Sequence, residues 1–97
     1  MANAEVKRNI ISSLTVERGY NLILICTVVG KPTPLITWKR NGERIKNDTR
    51  HLLLPSGVLL VRQVDNKQAG QYKCIASNIV GMDQGSVRLT VKNEATG

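Results

Sequence analysis

The residues with the greatest capacity for chemistry are two cysteines, Cys26 and Cys74, and the sequence offers them few partners. No C-x-x-C spacing occurs and His51 is the only histidine, so neither a metal site nor a cofactor is predicted. Acyl transfer needs a nucleophile held by a histidine and oriented by a third group, and no such set is visible. Asp65 and Asp83 fall in different predicted loops, so a carboxylate pair for acid–base catalysis is not indicated. We therefore predict a protein that is not an enzyme.

The spacing around the cysteines indicates a role inside a β-sandwich. Trp38 follows Cys26 by twelve residues, and Tyr72 precedes Cys74 by two. If Leu24 and these residues all point inward from their strands, the thiols can meet across two sheets and the indole can pack against the bridge. Two buried thiols in a cytosolic sandwich would give the same pattern, so the cysteine count leaves the compartment open.

The length of 97 residues fits one domain. We predict a linker or expression remnant over residues 1–4, the domain over 5–92, and a linker tail over 93–97. No signal-peptide pattern opens the chain, so an extracellular protein would here be a piece of a longer one. The strands that alternation and turn residues predict are an edge strand carrying Val6, Ile10, Leu14 and Val16 and broken near Ser12-Ser13, then Tyr20–Val29, Ile36–Arg40, Glu43–Lys46, Arg50–Leu54, Val58–Val64, Gly70–Ser77 and Ser86–Lys92.

The strongest local signal is Asn41-Gly42, which predicts a two-residue hairpin because both residues accept positive φ. The register that follows places Trp38 opposite Ile45 on the buried side. It places Lys39 opposite Arg44 on the outer side.

Over nearly its whole length, about Val6 to Val91, the chain closely resembles the intermediate (I-set) type of immunoglobulin domain. The motifs that carry the resemblance are Val16-x-x-Gly19-x-x-Leu22-x-Leu24-x-Cys26, Gly30-x-Pro32-x-Pro34-x-Ile36-x-Trp38, Leu59-x-Val61-x-x-Val64 and Gly70-x-Tyr72-x-Cys74-x-Ala76-x-Asn78-x-x-Gly81. The resemblance implies an all-β, two-sheet antiparallel immunoglobulin-like sandwich with Greek-key connections. It also implies a Cys26–Cys74 disulfide and a core built around Trp38, Tyr72, Leu24 and Leu59.

The resemblance also implies details of the corner before the second cysteine. The Tyr72 hydroxyl should bond to the backbone there. Where the family usually has aspartate, this chain has Gln68, which cannot form the ion pair expected with Arg50. We therefore expect Arg50 to be freer to serve the surface.

In function, the family implies a recognition or adhesion module within a larger receptor, adhesion or matrix protein at the cell surface or outside the cell. The alternative that the family leaves open is a cytoplasmic cytoskeletal or sarcomeric domain that acts as a spacer or binds actin. Fold does not choose between them.

Net charge is +7, and basic residues concentrate on one predicted face. Such a face favours acidic partners, heparan sulfate first among them, although solubility alone could account for it. The proposed anion-binding residues, which point outward from the sheet that carries Trp38 and Cys74, are Lys39, Arg44, Lys46, Lys73 and Arg88.

The other sheet is predicted to expose aliphatic side chains. The members of this apolar face are Ile23, Ile25, Leu60, Leu52 and Leu54, with Leu53 as the alternative to Leu54. Several aliphatic residues on one solvent face suggest a protein contact, either self-association or packing on another domain. The alternative is that β-branched residues simply suit strands and that long arginine stems cover them.

Four smaller signals remain in the sequence. Asn47-Asp48-Thr49 is the only N-x-S/T triplet and would be a glycan acceptor in a secreted protein. Nucleic-acid binding is not predicted, because Tyr20 is the only outward aromatic candidate for stacking. No apolar run reaches about 18 residues, so no direct membrane insertion is predicted. His51 is interpreted as an exposed or half-buried strand residue.

Overall fold

A computed structural model describes residues 2–6, 13–55 and 57–93, and these form an all-β sandwich. The elements within these ranges are β1 (Ala2–Val6), β2 (Ser13–Glu17), β3 (Leu22–Leu24), β4 (Val28–Lys31), β5 (Leu35–Arg40), β6 (Glu43–Arg44), β7 (His51–Leu53), β8 (Leu59–Val61), a 3-10 turn (Asn66–Gln68), β9 (Gly70–Ser77) and β10 (Met82–Lys92). The predicted fold class is confirmed.

The described strands form a five-stranded sheet in the order β2-β10-β9-β5-β6 and a three-stranded sheet in the order β3-β8-β7. A two-stranded sheet, β1-β4, completes them. One pairing differs from the antiparallel arrangement predicted, because β2 runs parallel to β10. The reason is that the first edge strand divides: β1 pairs with β4, and β2 joins the other sheet. Of the predicted break at Ser12-Ser13, Ser13 is the first residue of β2, while Ser12 and Ile10 lie outside the described residues.

The N-terminal strand begins earlier than the predicted domain start at Glu5. β1 opens at Ala2, and the side chain of Ala4 is buried in the core. Asn78 Nδ2 holds the strand in place by donating to Ala2 O at 2.9 Å. Ala2 to Ala4 therefore pack as part of the sandwich instead of forming a linker.

Inward-facing residues of both large sheets meet in one core. Leu24 and Leu59 are paired across β3 and β8 and are buried, as are Val61 and Leu89. Since side chains alternate along a strand, this core determines which residues of each sheet face solvent.

Candidate binding surfaces

The centre of the core is the bridge between the sheets. Cys26 and Cys74 form a disulfide with a Cα–Cα distance of 6.3 Å. Trp38 lies opposite Cys74 in the β5–β9 register, and its Nε1 donates to Gly57 O at 2.9 Å. The four predicted core residues, Trp38, Tyr72, Leu24 and Leu59, are all buried. Their neighbours in sequence are consequently directed toward solvent.

The corner before β9 is held by the tyrosine hydroxyl. Tyr72 is fully buried, and its hydroxyl donates to Gln68 O at 2.7 Å. Burial raises the pKa of Tyr72 to about 12, against the opposing effect of the Arg40 charge. Asp65 and Gln68 cap the turn reciprocally, because Asp65 Oδ1 accepts from Lys67 N and Gln68 Oε1 accepts from Asp65 N, each at 2.8 Å.

Arg50 is bound to this corner, so the expectation that it is free for the surface is wrong. Its guanidinium lies 3.5 Å from Asp65 Oδ2 and 3.4 Å from Gln68 Oε1, and it also donates to Gln63 O. The carboxylate that the sequence seemed to lack comes from Asp65, three residues before Gln68. Arg50 therefore forms its ion pair with Asp65 instead of with an acid at position 68.

The outer face of the β3-β8-β7 sheet carries two adjacent rows of aliphatic side chains. In the first row Ile23 lies opposite Leu60, and Leu60 lies opposite Leu52. In the second row Leu54 N donates to Val58 O at 2.9 Å, and alternation places Ile25 beside Val58. Ile23 and Ile25 are 59% and 60% exposed. In the structure the apolar face therefore has six members, the five predicted residues and Val58: Ile23, Ile25, Leu52, Leu54, Val58 and Leu60.

Two details of the apolar face differ from the sequence interpretation. Leu53, given as the alternative to Leu54, packs against the core. Val58 belongs to the face but was not predicted, although its position one residue before the inward Leu59 would have indicated it. His51 is buried at 7% exposure, contrary to expectation, because it takes the inward position opposite Val61.

On the opposite sheet three cations lie in one row across three strands. Arg44 of β6 is registered with Lys39 of β5, and Lys39 with Lys73 of β9. Neighbouring strands are about 4.8 Å apart, so the row spans roughly 10 Å between its outer backbones. None of the outward positions of β5, β6 and β9 is acidic. Glu43, the one acidic residue on these strands, is registered with Arg40, one position away from the row. The basic row is defined as Arg44, Lys39 and Lys73.

The two remaining predicted cations lie outside this row. Arg88 is on the same face of β10 but is registered with Gln71, two residues along β9 from Lys73. Lys46 follows β6 and is exposed. The depression beside the basic row is lined by Lys39, Asn41, Gly42, Gln71, Lys73, Ile75 and Gln84, so amide side chains surround the two lysines.

The hairpin that carries the basic row is fixed to β9 by Asn41. Asn41 and Gly42 have φ of 51° and 86°, as the predicted turn requires. Asn41 N donates to Gln71 O at 2.9 Å, and Gln71 N donates to Asn41 Oδ1 at 3.0 Å. Gly70 has φ of 139°, and a Cβ there would lie 2.6 Å from Asn41 Oδ1, so glycine is needed for this contact.

The segment between β6 and β7 is shaped by side-chain acceptors. Asp48 Oδ1 accepts from Arg50 N at 2.8 Å and His51 N at 2.7 Å, and it lies 3.1 Å from His51 Nδ1. Burial acts to raise the pKa of Asp48, but these hydrogen bonds outweigh it and hold the pKa below its usual value. Asn47 Oδ1 accepts from Leu53 N at 2.7 Å.

Within residues 2–6, 13–55 and 57–93, no group of three or more His, Cys, Asp or Glu residues is placed to hold a metal ion. Nor is there, among those residues, a helix with the length and apolar character to cross a membrane.

An inter-sheet disulfide beside a buried tryptophan, with a tyrosine corner before the second cysteine, defines an immunoglobulin-like domain. The family model of the immunoglobulin I-set domain matches residues 5–91, and the chain belongs to this family. The resemblance found in the sequence is thereby confirmed.

Curated relatives match most of the chain with an identity of a little over one third across the matched segment. The peroxidasin homolog of Mus musculus is 36% identical over 80 residues, which are 82% of this chain and 5% of that protein. Hemicentin-2 of Mus musculus is 37% identical over 87 residues, 89% of this chain and 2% of that protein. The chain thus spans only a small fraction of the length of these relatives.

Solved structures with the same fold include domains of Sidekick-1 and of titin. Sidekick-1 immunoglobulin domains 1–4 superpose with a TM-score of 0.87 at 25% identity, covering 94% of this chain and 24% of that one. Titin domains I67–I69 superpose with a TM-score of 0.84 at 29% identity, covering 96% and 34%.

Proposed function

We propose that this chain is one recognition domain of a longer extracellular adhesion, receptor or matrix protein, and that its apolar face binds a second copy of the domain. The observation that carries the proposal is the pair of aliphatic rows across β3, β8 and β7, with Ile23 and Ile25 more than half exposed. Contiguous exposed apolar surface of this kind marks contact sites. The relatives among adhesion and matrix proteins support an adhesion-type module.

The distribution of charge favours a second copy as the occupant. None of the six residues of the apolar face is charged, while the basic row lies on the opposite sheet. Two copies packed apolar face to apolar face would direct both basic rows outward. Each row is separated from the contact by a sandwich about 10 Å thick, beyond the Debye length of about 8 Å at physiological salt. The three cations of each basic row therefore oppose this contact only weakly.

Sedimentation velocity over a range of concentrations tests the contact. The parent protein should dimerise as concentration rises, and Ile25→Lys should weaken the dimer by roughly tenfold or more, because the new ammonium must lose its water in the contact. Both proteins should fold, since Ile25 is 60% exposed.

Met82→Lys is the matched control. It adds the same charge at a residue that is 72% exposed, on β10 of the opposite sheet. The control should dimerise like the parent. A parent that is monomeric at every concentration, or equal weakening by both substitutions, would refute the contact.

The basic row supports heparan sulfate as a second ligand of the same domain. Three cations registered across β6, β5 and β9 repel one another by some tenths of a kcal/mol per pair, and an anion laid across the strands would remove that repulsion. Amide groups of Asn41, Gln71 and Gln84 beside the lysines can donate to sulfate oxygens. A linear sulfated glycan running across the strands fits this arrangement.

Heparin-column elution measures this binding. Lys39→Ala with Arg44→Ala should elute at distinctly lower salt than the parent. The control pair Lys31→Ala with Arg62→Ala removes the same charge from exposed residues of β4 and of the segment after β8, and it should elute close to the parent. Equal shifts for the two pairs would show that net charge alone is responsible, and an unchanged first pair would remove the glycan proposal.

A cytoskeletal spacer or actin-binding domain inside the cell is the alternative function. The similarity to titin domains favours it. Alkylation of free thiols in protein taken from its natural source separates the two: blocked cysteines before reduction support the extracellular function, and reactive ones support the cytoskeletal function.

A further inference from the structure

The open edge of the three-stranded sheet is occupied by two side chains. Among the described strands β7 pairs only with β8. On its other edge, Leu53 N donates to Asn47 Oδ1, while His51 N donates to Asp48 Oδ1. These side-chain oxygens take the place of the carbonyls of a neighbouring strand. The edge still lacks a strand partner on this side, and an edge strand is a template on which other chains can pair.

The hydrogen bond from Leu53 also orients the Asn47 side chain. Its carbonyl oxygen is held at 2.7 Å from Leu53 N, so its amide nitrogen is the free end of the group. Asn47 Nδ2 has no hydrogen-bond partner within the described part of the chain, and Asn47, Asp48 and Thr49 are all exposed. Asn47, the first residue of the N-x-T triplet, therefore has an amide nitrogen that is accessible from solvent.

We propose that Asn47 Nδ2 carries an N-linked glycan, which covers the open edge of β7. The donor would be an oligosaccharide attached to a polyprenyl diphosphate. The Nδ2–C1 bond forms as the C1–O bond to the diphosphate breaks. The polyprenyl diphosphate leaves with the bonding electrons, and one amide proton passes to solvent. No oxidation or reduction is involved.

The modification is compatible with the local structure because it leaves the carbonyl oxygen of Asn47 intact. The bond from Leu53 N can persist while a solvated sugar projects from the same side chain. A bulky glycan beside Leu52 and Leu53 prevents a strand of another molecule from approaching the backbone there. The apolar face, whose side chains stand perpendicular to the sheet, remains available from above. The proposal rests on the extracellular location proposed for the domain.

Secretion from eukaryotic cells behind a cleavable leader tests the site. Thr49→Ala removes the acceptor triplet without changing Asn47, and Thr49→Ser preserves it. The parent and Thr49→Ser should show an added glycan mass that peptide N-glycosidase removes, and Thr49→Ala should lack it. A parent secreted at its unmodified mass would overturn the proposal. That result would leave self-association through the apolar face untouched, since the two are measured separately.

The protective role has its own readout. Concentrated Thr49→Ala protein should contain several-fold more high-mass species than Thr49→Ser when both carry Ile25→Lys, which weakens the apolar contact equally in the two. Equal amounts would overturn the role of the glycan at the edge.

Discussion

Removal of the Cys26–Cys74 disulfide should lower the free energy of unfolding by about 4 kcal/mol. The two cysteines are 48 residues apart, and closing a loop of that length in the unfolded chain accounts for roughly this amount in the chain-entropy model. Small domains have a net stability of about 5–15 kcal/mol, so the loss would leave the domain marginal. Phenylalanine is absent from the sequence, and the core around the bridge consists mainly of leucine, valine and isoleucine packed with Trp38 and Tyr72.

Urea unfolding of the double variant Cys26→Ala with Cys74→Ala measures this loss. Trp38, the only tryptophan, is buried beside the bridge and reports unfolding by its fluorescence. The reduced parent is the control for the two substitutions and should lose a similar amount. A difference below about 1 kcal/mol between the oxidised parent and both other forms would contradict the prediction.

Tyr72→Phe should destabilise the domain by about 1–3 kcal/mol. The substitution removes the donor to Gln68 O inside a fully buried corner and leaves that carbonyl unsatisfied. Tyr20→Phe is the matched control, since Tyr20 is 62% exposed, and should change stability little. Equal stability of Tyr72→Phe and the parent in urea would refute the role of the hydroxyl.

The same tyrosine predicts a loss of stability in alkali. Burial raises the pKa of Tyr72 to about 12 in the folded state, while an unfolded tyrosine ionises near 10. The folded state binds the proton more tightly, so its contribution is fully present below about pH 10 and is lost as pH rises toward 12. Stability measured from pH 9 to pH 12 should therefore fall more steeply in the parent than in Tyr72→Phe, and parallel curves would contradict this.

The sequence predicted the features that depend on local rules. Alternation around Cys26 and Cys74 placed their neighbours on the correct faces, and Asn41-Gly42 determined the register of the hairpin. These predictions succeed because strand period and turn conformation are properties of a few adjacent residues. The same reasoning named the three residues of the basic row and five of the six residues of the apolar face, and it missed Val58.

The features that it missed depend on contacts between distant residues. The predicted strand Tyr20–Val29 is divided into β3 and β4, which join different sheets. β10 begins at Met82 instead of Ser86, because Met82 pairs with Ser77 across the turn. Arg50 meets Asp65 through the corner, fifteen residues away in sequence.

The attachment of Asn41 to Gln71 has a consequence for anion binding. Loops that bind polyanions commonly lose backbone freedom on association, and that ordering weakens affinity. Here the main chain and the side chain of Asn41 are both hydrogen-bonded to Gln71. A larger residue in place of Gly70 would displace the Asn41 side chain. The hairpin tip is therefore held in place before any ligand binds. If the proposed polyanion binds over Lys39 and Lys73, it would have only flexible lysine stems to order, and little of its affinity would be lost to ordering of the backbone.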